Sequence, residues 1–146
     1  PHMIQLLYSA SQAGVKVDLL VRGMCCLRPG LKGVSENIRV ISVVGRYLEH
    51  SRIFYFHNNG QEEIYLGSAD LMQRNLNHRV EVVFPVESPE HIQYLREHFL
   101  AAYLRDNVRA RFMQSDGTYI RLKPKEKEEK IDIQEWLMSR KYAKKE

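Results

Sequence analysis

The chain has 146 residues, of which 44% are hydrophobic and 27% are charged, and its formal net charge is +4. This length and apolar content are sufficient for a globular domain with its own core, and no apolar run is long enough to span a membrane. The positive surplus lies mainly in residues 121–146, so residues 1–120 are nearly balanced, with thirteen basic and twelve acidic side chains, which disfavours a broad nucleic-acid-binding surface.

A helix and a strand are predicted first. Residues 1–3, Pro-His-Met, have the character of a cloning remnant, and residues 4–14 predict a helix that ends at Gly14. Residues 15–21 predict a strand, and three glycines and one proline in residues 22–33 predict a loop after it. Because this pattern is that of a fold interior, we expect the chain to be part of a larger protein.

The two cysteines are adjacent, at Cys25 and Cys26. A disulfide between neighbouring residues is strained and rare, so we expect two reduced thiols, which is typical of a cytoplasmic protein. The sequence has no secretory signal pattern, so nothing in it argues against the cytoplasm as the location. Other ligands at zinc-binding spacing are lacking in the sequence, so no metal site is predicted.

The middle of the chain predicts a strand followed by a hairpin. Residues 38–44 form a second apolar strand pattern, and residues 45–50 predict a turn. Residues 52–56 and 62–67 also have strand patterns, and Asn58-Asn59-Gly60 between them is a strong hairpin-turn signal. We therefore expect these two strands to be antiparallel neighbours.

A long helix is predicted after the hairpin. Residues 69–77 predict a short helix or loop, and residues 79–86 predict another strand. Residues 88–106 have the clearest helical pattern, since Ser88 can cap the helix and Pro89 suits its first position. The apolar stripe that predicts the buried face of this helix consists of Ile92, Leu95, Phe99, Ala102 and Tyr103.

The C-terminal part predicts a hairpin, a charged run and a helix. Residues 108–122 predict two strands about Asp116-Gly117, and residues 123–130, KPKEKEEK, predict a solvated linker. Residues 131–142 predict a final helix, which docks through Ile133, Trp136 and Leu137.

The order of these elements indicates a mixed α/β fold. The predicted order is helix, strand, strand, hairpin, strand and helix, which favours a mixed β-sheet flanked by helices. We expect one domain at residues 4–122 and a charged tail with a helix at residues 123–146.

The residues around the first hairpin have the character of a phosphate site. His50 and Arg52 point to the same side of an extended segment, and arginine offers planar donors that suit phosphate oxygens. The hairpin returns the chain to Gly67-Ser68, where glycine permits close approach of a phosphate and serine supplies a hydroxyl. Asp70 can orient a basic side chain nearby.

Two arginines in the loop after the first strand are further candidates. Loops at the carboxyl ends of strands form the ligand crevice in α/β sheets, and Arg22 begins this loop. Arg28 is a weaker candidate, since it can equally face solvent. Residues 16–52 carry seven basic and three acidic side chains, which favours a local anion site.

A short motif resembles the H-x-K…G-S-x-N signature of the phospholipase D superfamily. It comprises His50-Ser51-Arg52 and Gly67-Ser68-Ala69-Asp70, with arginine in place of lysine and aspartate in place of asparagine. The acidic residue expected five positions after the lysine is His57 here.

Longer segments strongly resemble the C-terminal catalytic domain of bacterial polyphosphate kinase. They are residues 12–30, 35–56 and 64–86, and the resemblance runs from about Ile4 to Arg121. It implies a phospholipase D-like fold and reversible transfer of the terminal phosphate of ATP to inorganic polyphosphate. It also implies Mg²⁺ and a phosphohistidine, with the phosphate-accepting histidine and the metal-binding residues in preceding domains.

The resemblance assigns roles to individual residues. Arg22 and His50 are expected to contact the phosphates of ATP or ADP, and His50 is also the candidate general acid for the leaving phosphate. Arg52, Arg28 and Ser68 complete the predicted phosphate-binding set. The full-length enzyme is expected to be a homo-oligomer that can associate peripherally with a membrane, without binding nucleic acid.

We expect this chain to bind phosphates but not to turn over alone, because covalent transfer through histidine needs a nucleophile and a separate acid. One alternative is a phospholipase D-like phosphodiesterase half-site that homodimerisation completes. The other is a non-enzymatic module for anions or nucleic acid, which predicts tolerance of His50→Ala and steep salt dependence.

Overall fold

A computed structural model describes residues 2–140 and contains two β-sheets with helices around them. The strands of this described part are β1 (Val17–Leu20), β2 (Ile38–Val43), β3 (Ile53–Phe56), β4 (Glu63–Gly67), β5 (Val83–Pro85), β6 (Ala110–Met113) and β7 (Tyr119–Arg121). One sheet has the order β1-β2-β6-β7, and the other has the order β3-β4-β5. The predicted mixed α/β class is confirmed, with the strands in two sheets rather than one.

The helices lie where the sequence predicts them. They are α1 (His2–Gln12), α2 (Gln73–His78), α3 (Pro89–Tyr94), a π-helical stretch (Leu95–Leu100), α4 (Ala101–Arg105) and α5 (Ile133–Ser139). Gly14 follows α1 with a φ of +87°, a left-handed conformation that glycine adopts without strain. The Ser88 hydroxyl accepts a hydrogen bond from the N–H of His91 and so caps α3, with Pro89 in its first turn.

Two elements differ in detail from their predictions. The strand predicted at residues 79–86 is confirmed only at β5, because α2 ends at His78 and the chain uses residues 79–82 to return to the sheet. The helix predicted at residues 88–106 widens in its middle, where the N–H of Ala101 donates to the carbonyl of Arg96, five residues back.

The chain divides into two compact units. The first unit joins residues 1–48 to residues 103–146 and contains the four-stranded sheet. The second unit consists of residues 49–102 and contains the three-stranded sheet. The domain boundaries predicted at residues 4–122 and 123–146 stay predictions.

β2 is an inner strand of the first unit. It pairs in parallel with β1, where Val17 lies opposite Ile38, and antiparallel with β6, where Ile41 lies opposite Phe112. Val40 is buried on one face of the strand and Ile41 on the other. Burial on both faces explains why the sequence of β2 is a nearly continuous apolar run.

One face of this sheet packs against α1. The buried residues of this cluster are Leu27, Ile38, Val40 and Met113, and the partly buried ones include Ile4, Leu7, Tyr8, Val17, Leu19 and Cys25. Tyr8 also accepts a hydrogen bond from the backbone N–H of Arg28 at 2.8 Å. The loop after β1 is therefore held by α1 as well as by the core.

A buried carboxylate joins α5 to the start of β6. Asp106 is 1% exposed. Its Oδ1 accepts hydrogen bonds from the backbone N–H groups of Val108, Arg109 and Ala110, at 3.1, 2.7 and 2.9 Å. Its Oδ2 accepts one from the N–H of Ile133 at 2.9 Å. Four backbone donors from both elements converge on this one buried side chain, so it fixes β6 and α5 to each other.

The final helix docks as predicted through its first residue. Asp132 caps α5 by accepting hydrogen bonds from two backbone N–H groups, and Ile133 is fully buried. Trp136 and Leu137 are half-buried. The predicted end of this helix, at residues 141–142, lies outside the described residues.

The charged run at residues 123–130 is almost entirely exposed and forms no helix or strand, as predicted. Within residues 2–140, the structure has no helix that is both long and apolar enough to cross a membrane.

The second unit is built on the predicted hairpin. Asn58, Asn59 and Gly60 have φ values of +43°, +52° and +89° between β3 and β4, a conformation that asparagine and glycine tolerate best. Ile64 on β4 is 1% exposed and is the most deeply buried side chain of the two strands.

An arginine links the helical segment of the second unit to the hairpin. Arg96, in the π-helical stretch, forms ion pairs with Glu62 and Glu97. The hydroxyl of Tyr55 also donates to Glu62 at 2.8 Å. The hydrogen bonds from Arg96 lower the pKa of both glutamates, so the link stays charged at neutral pH.

Replacing Asp106 with asparagine is expected to lower the free energy of unfolding by about 3 kcal/mol. In the unsubstituted protein four backbone N–H donors share the two oxygens of the Asp106 carboxylate, whereas an asparagine amide offers only one oxygen. Each buried N–H left without an acceptor costs roughly 1–3 kcal/mol. Urea denaturation followed by circular dichroism measures the change.

Asp18→Asn is the matched control for Asp106→Asn. Asp18 pairs with Arg39 at 2.6 Å on the surface, and exposed pairs contribute only about 0–1 kcal/mol. Equal destabilisation by the two substitutions would contradict the role of Asp106.

Candidate functional site

Backbone pairing in the second unit brings together two segments that are separate in the sequence. The N–H of Gly67, at the end of β4, donates to the carbonyl of Arg52 at 3.2 Å. This antiparallel pairing places the His50 segment beside Gly67 and Ser68, as the sequence analysis expects.

Arg52 is held by a carboxylate and by the backbone of His50. Its Nε donates to Oδ1 of Asp70 at 3.0 Å, and its Nη1 donates to the carbonyl of His50 at 2.8 Å. The same Nη1 lies 3.5 Å from Nδ1 of His50. Asp70 therefore orients a basic side chain, and Arg52 in turn fixes the backbone at His50.

His50, Arg52 and Ser68 line one cleft of about 500 Å³ in the second unit. His50 and Ser68 are exposed, whereas Arg52 is half-buried. The apolar side chains that line the same cleft are Ile53, Leu66, Val82, Phe84, Leu95 and Phe99. The cleft thus combines a polar rim with an apolar wall, to which the π-helical stretch contributes Leu95 and Phe99.

The Ser68 hydroxyl is already hydrogen-bonded to its neighbours. It donates to Oε2 of Glu81 and accepts from the N–H of Val82 at 3.1 Å. Hydrogen bonds from Ser68 and then from Asn75 hold the pKa of Glu81 below its usual value, so Glu81 is negatively charged at neutral pH. A phosphate that takes the hydroxyl of Ser68 has to compete with this carboxylate.

Gly67 is required by the sheet itself. A Cβ at this position would lie 2.7 Å from the carbonyl oxygen of Val82 and 2.9 Å from Cγ2 of Val83. Close approach of a phosphate to Gly67 stays a prediction; the close approach that the structure has is that of Val82 and Val83.

Arg22 and Arg28 belong to the first unit. Arg22 is exposed at the end of β1, and its carbonyl accepts a hydrogen bond from Ser42 at 3.5 Å. The guanidinium of Arg28 donates to the carbonyl of Ser115 at 3.1 Å and lies against Gly117. Arg28 therefore holds the turn between β6 and β7, a role that its position before Pro29 does not reveal.

Two polar residues beside the cleft, Glu81 and Asn75, are not among those predicted from the sequence. The amide of Asn75 donates to Glu81 at 2.8 Å, and Asn75 is 4% exposed. Its Oδ1 is buried and has no hydrogen-bond partner among the described residues. The polar position of Glu81 within the apolar run of residues 80–84 is the only sequence signal that points to it.

The described residues do not form a metal site of their own. Nowhere in residues 2–140 do three or more histidine, cysteine, aspartate or glutamate side chains converge in a way that could hold a metal ion. Mg²⁺ requires several oxygen ligands, so the Mg²⁺ that the family resemblance implies does not fit a site built from these residues alone.

Comparison with known proteins gives one consistent family. Residues 1–134 match the family model described as polyphosphate kinase C-terminal domain 2. A polyphosphate kinase of Synechocystis is 63% identical over 122 residues, which cover 84% of this chain and 17% of that protein. A polyphosphate kinase of Pseudomonas aeruginosa is 58% identical over 124 residues, which cover 85% of this chain and 18% of that protein.

A solved structure agrees with the sequence comparisons. The crystal structure of polyphosphate kinase from Porphyromonas gingivalis matches with a TM-score of 0.87 and 42% identity, over 93% of this chain and 20% of that one. The chain thus spans about a fifth of the length of the relatives that it matches.

Replacing Glu81 with glutamine is expected to tighten the binding of tripolyphosphate by about two- to five-fold. The substitution removes a negative charge beside the cleft, which contributes on the order of 0.5–1 kcal/mol at the effective dielectric of a surface site. Calorimetric titration at low and high salt measures the change, which should shrink at high salt.

Glu63→Gln provides the control, since it makes the same change of charge at the start of β4, where Glu63 bonds to Asn58 and Tyr65. Weaker binding by Glu81→Gln than by the unsubstituted chain would contradict the electrostatic role of Glu81.

Proposed function

The chain belongs to the polyphosphate kinase family, and from that membership we propose that it supplies the phosphate-binding part of an ATP:polyphosphate phosphotransferase site. In this proposal the terminal phosphate of ATP passes reversibly to inorganic polyphosphate through a phosphohistidine of a preceding domain. Preceding domains also supply most of the Mg²⁺ ligands, and the enzyme acts in the cytoplasm.

One observation carries the proposal. Pairing of β3 with β4 sets His50 and Arg52 on the rim of a single cleft beside the Gly67-Ser68 segment. A histidine and an arginine that share a cleft can bind one phosphate together, because the arginine supplies charge and planar donors and the histidine supplies a movable proton.

The contact between the two side chains suggests which nitrogen of His50 faces the ligand. A guanidinium can only donate hydrogen bonds, so the Nη1 of Arg52, 3.5 Å from Nδ1 of His50, favours an unprotonated Nδ1. Nε2 then carries the hydrogen that a phosphate oxygen can accept.

His50 acts as the general acid in this proposal. When the bond between the terminal phosphorus of ATP and its bridging oxygen breaks, a new bond forms between that phosphorus and the histidine of the preceding domain. Negative charge develops on the oxygen of the departing ADP, and His50 offsets it by donating a hydrogen bond from Nε2. Full transfer of a proton to that oxygen requires His50 to enter the step as imidazolium, with protons on both ring nitrogens.

Arg22 is proposed to contact the nucleotide phosphates. Arg52 is proposed to bind phosphate through Nη2, since Asp70 holds its Nε and the carbonyl of His50 holds its Nη1. Arg28 and Ser68 stay in the proposed set with smaller roles, because both are engaged by neighbouring residues.

Calorimetric titration tests the site with polyphosphate and with Mg-ADP. Arg22→Ala and His50→Ala are each expected to weaken binding by about ten- to a hundred-fold, since each removes one charge-assisted hydrogen bond worth roughly 1.5–3 kcal/mol. His78→Ala and Arg105→Ala are the matched controls, because both residues are exposed at helix ends outside the cleft. Equal affinity in all five proteins would contradict the proposal.

The isolated chain is expected to show no ATP-dependent growth of polyphosphate. It lacks the proposed phosphate-accepting histidine, and covalent catalysis requires both a nucleophile and an acid. Transfer of labelled terminal phosphate from ATP to polyphosphate by residues 1–146 alone would contradict the proposal that a preceding domain supplies the nucleophile. Hydrolysis of a phosphodiester model compound would favour the phospholipase D-like alternative instead.

A further inference from the structure

We propose that Ser68 makes the cleft of the second unit selective for a terminal phosphate group that carries a hydrogen atom. The hydroxyl oxygen of Ser68 accepts that hydrogen in a hydrogen bond, because Glu81 already takes the hydrogen of Ser68 itself. The inference rests on the proposed function, since it names the form of phosphate that this cleft binds. Ser68, Glu81 and all the residues that line the cleft belong to the second unit.

The two partners of the Ser68 hydroxyl determine where its hydrogen points. Glu81 is ionised at neutral pH and can only accept, so the hydroxyl donates to its Oε2. The backbone N–H of Val82 can only donate, so the hydroxyl accepts from it at 3.1 Å. A hydroxyl has one hydrogen and two lone pairs, so one lone pair remains. Ser68 is exposed and lines the cleft, where a ligand can reach this lone pair.

Glu81 is held in place by a second donor. The side-chain Nδ2 of Asn75 donates to Oε1 of Glu81 at 2.8 Å, and Asn75 is 4% exposed. The opposite orientation of this amide would set its oxygen against the carboxylate, and two acceptors repel each other. One oxygen of Glu81 thus binds Asn75 and the other binds Ser68, which makes the carboxylate a fixed acceptor for the hydrogen of Ser68.

The charges around this hydroxyl oppose a fully ionised phosphate. Glu81 and Asp70 are negative, and Arg52, whose Nε binds Asp70 at 3.0 Å, is positive. Arg79 lies close enough to help lower the pKa of Glu81, and His50 is neutral or positive according to the pH. The second unit as a whole carries eight acidic and four basic side chains. A phosphate that keeps a hydrogen has one negative charge fewer and is therefore repelled less.

A hydrogen distinguishes the end of a phosphate chain from its interior. A terminal phosphate loses its last hydrogen with a pKa of about 6 or higher, so part of the molecules retain it at neutral pH. An interior phosphate is bonded to two neighbours and has a single acidic group, which is ionised at neutral pH. The terminal group can donate to Ser68 while its other oxygens accept from Arg52 and His50. The cleft should therefore favour chain ends over interior and cyclic phosphates.

Two ligands test the proposal in the full chain. Tripolyphosphate is linear and has terminal groups, whereas trimetaphosphate is cyclic and has none. We expect the affinity for tripolyphosphate to fall between pH 6 and pH 9 by about five-fold more than the affinity for trimetaphosphate, since about one hydrogen bond is lost. Calorimetric titration measures both affinities. Protonation of His50 affects both ligands and cancels in this comparison.

Ser68→Ala is expected to abolish the difference between the ligands, by weakening tripolyphosphate binding about five-fold at pH 6 and little at pH 9. Ser51→Ala is the matched control, because Ser51 is a second serine that lines the same cleft. Glu81→Gln should tighten tripolyphosphate binding more at pH 9 than at pH 6, since a neutral amide holds the hydrogen of Ser68 less strongly than a carboxylate. Equal pH dependence for the two ligands, or a difference that survives Ser68→Ala, overturns the proposal.

The direction of the hydrogen bond between Ser68 and Glu81 has its own test, without a ligand. This bond is the main cause that holds the pKa of Glu81 below its usual value. Ser68→Ala should therefore raise the pKa of Glu81, measured by NMR titration of ¹³C-labelled glutamate, and an unchanged pKa overturns the inference. If neither tripolyphosphate nor Mg-ADP binds the unsubstituted chain, the proposed function is wrong, whereas the pKa of Glu81 still decides whether Ser68 offers the cleft an acceptor.

Discussion

The four backbone hydrogen bonds to Asp106 are the constraint on which the first unit depends. One buried carboxylate fixes both the start of β6 and the first residue of α5. Once Ile133 is fixed, the next side chain, Gln134, lies where it can bind Tyr47. Through α5, Asp106 therefore also helps to fix the segment that follows β2 in the same unit.

Two carboxylates hold polar side chains of the second unit's cleft in place, and their negative charges also repel an anionic ligand. Asp70 orients Arg52, and Glu81 binds Ser68 and Asn75, so both stabilise the geometry. Their negative charges lie near the groups proposed to bind phosphate, where they reduce the attraction for an anion. The cleft is therefore ordered, and the positive charge of Arg52 is offset by two carboxylates.

Much of the fold could be predicted from local sequence signals, whereas the long-range polar contacts could not be predicted. Gly14, Ser88 and the Asn-Asn-Gly turn act through the conformations of a few adjacent residues, so the helix ends and the hairpin follow directly. The hairpin in turn predicted that His50 and Ser68 would lie near each other. Glu81 and Gln134 were missed because their partners lie 13 and 87 residues away, and neither periodicity nor a motif encodes such contacts.

The discontinuous first unit has a consequence for folding. β3 and β4 are joined by a tight turn and can pair as soon as both have been synthesised, whereas β2 pairs with a strand about 70 residues further along the chain. Until residue 112 has left the ribosome, β2 exposes one edge and an apolar surface that β6 later covers. The slow step of folding is therefore the completion of the first sheet, although its first two strands are synthesised early. This chain is most prone to aggregation in the interval before that sheet is complete.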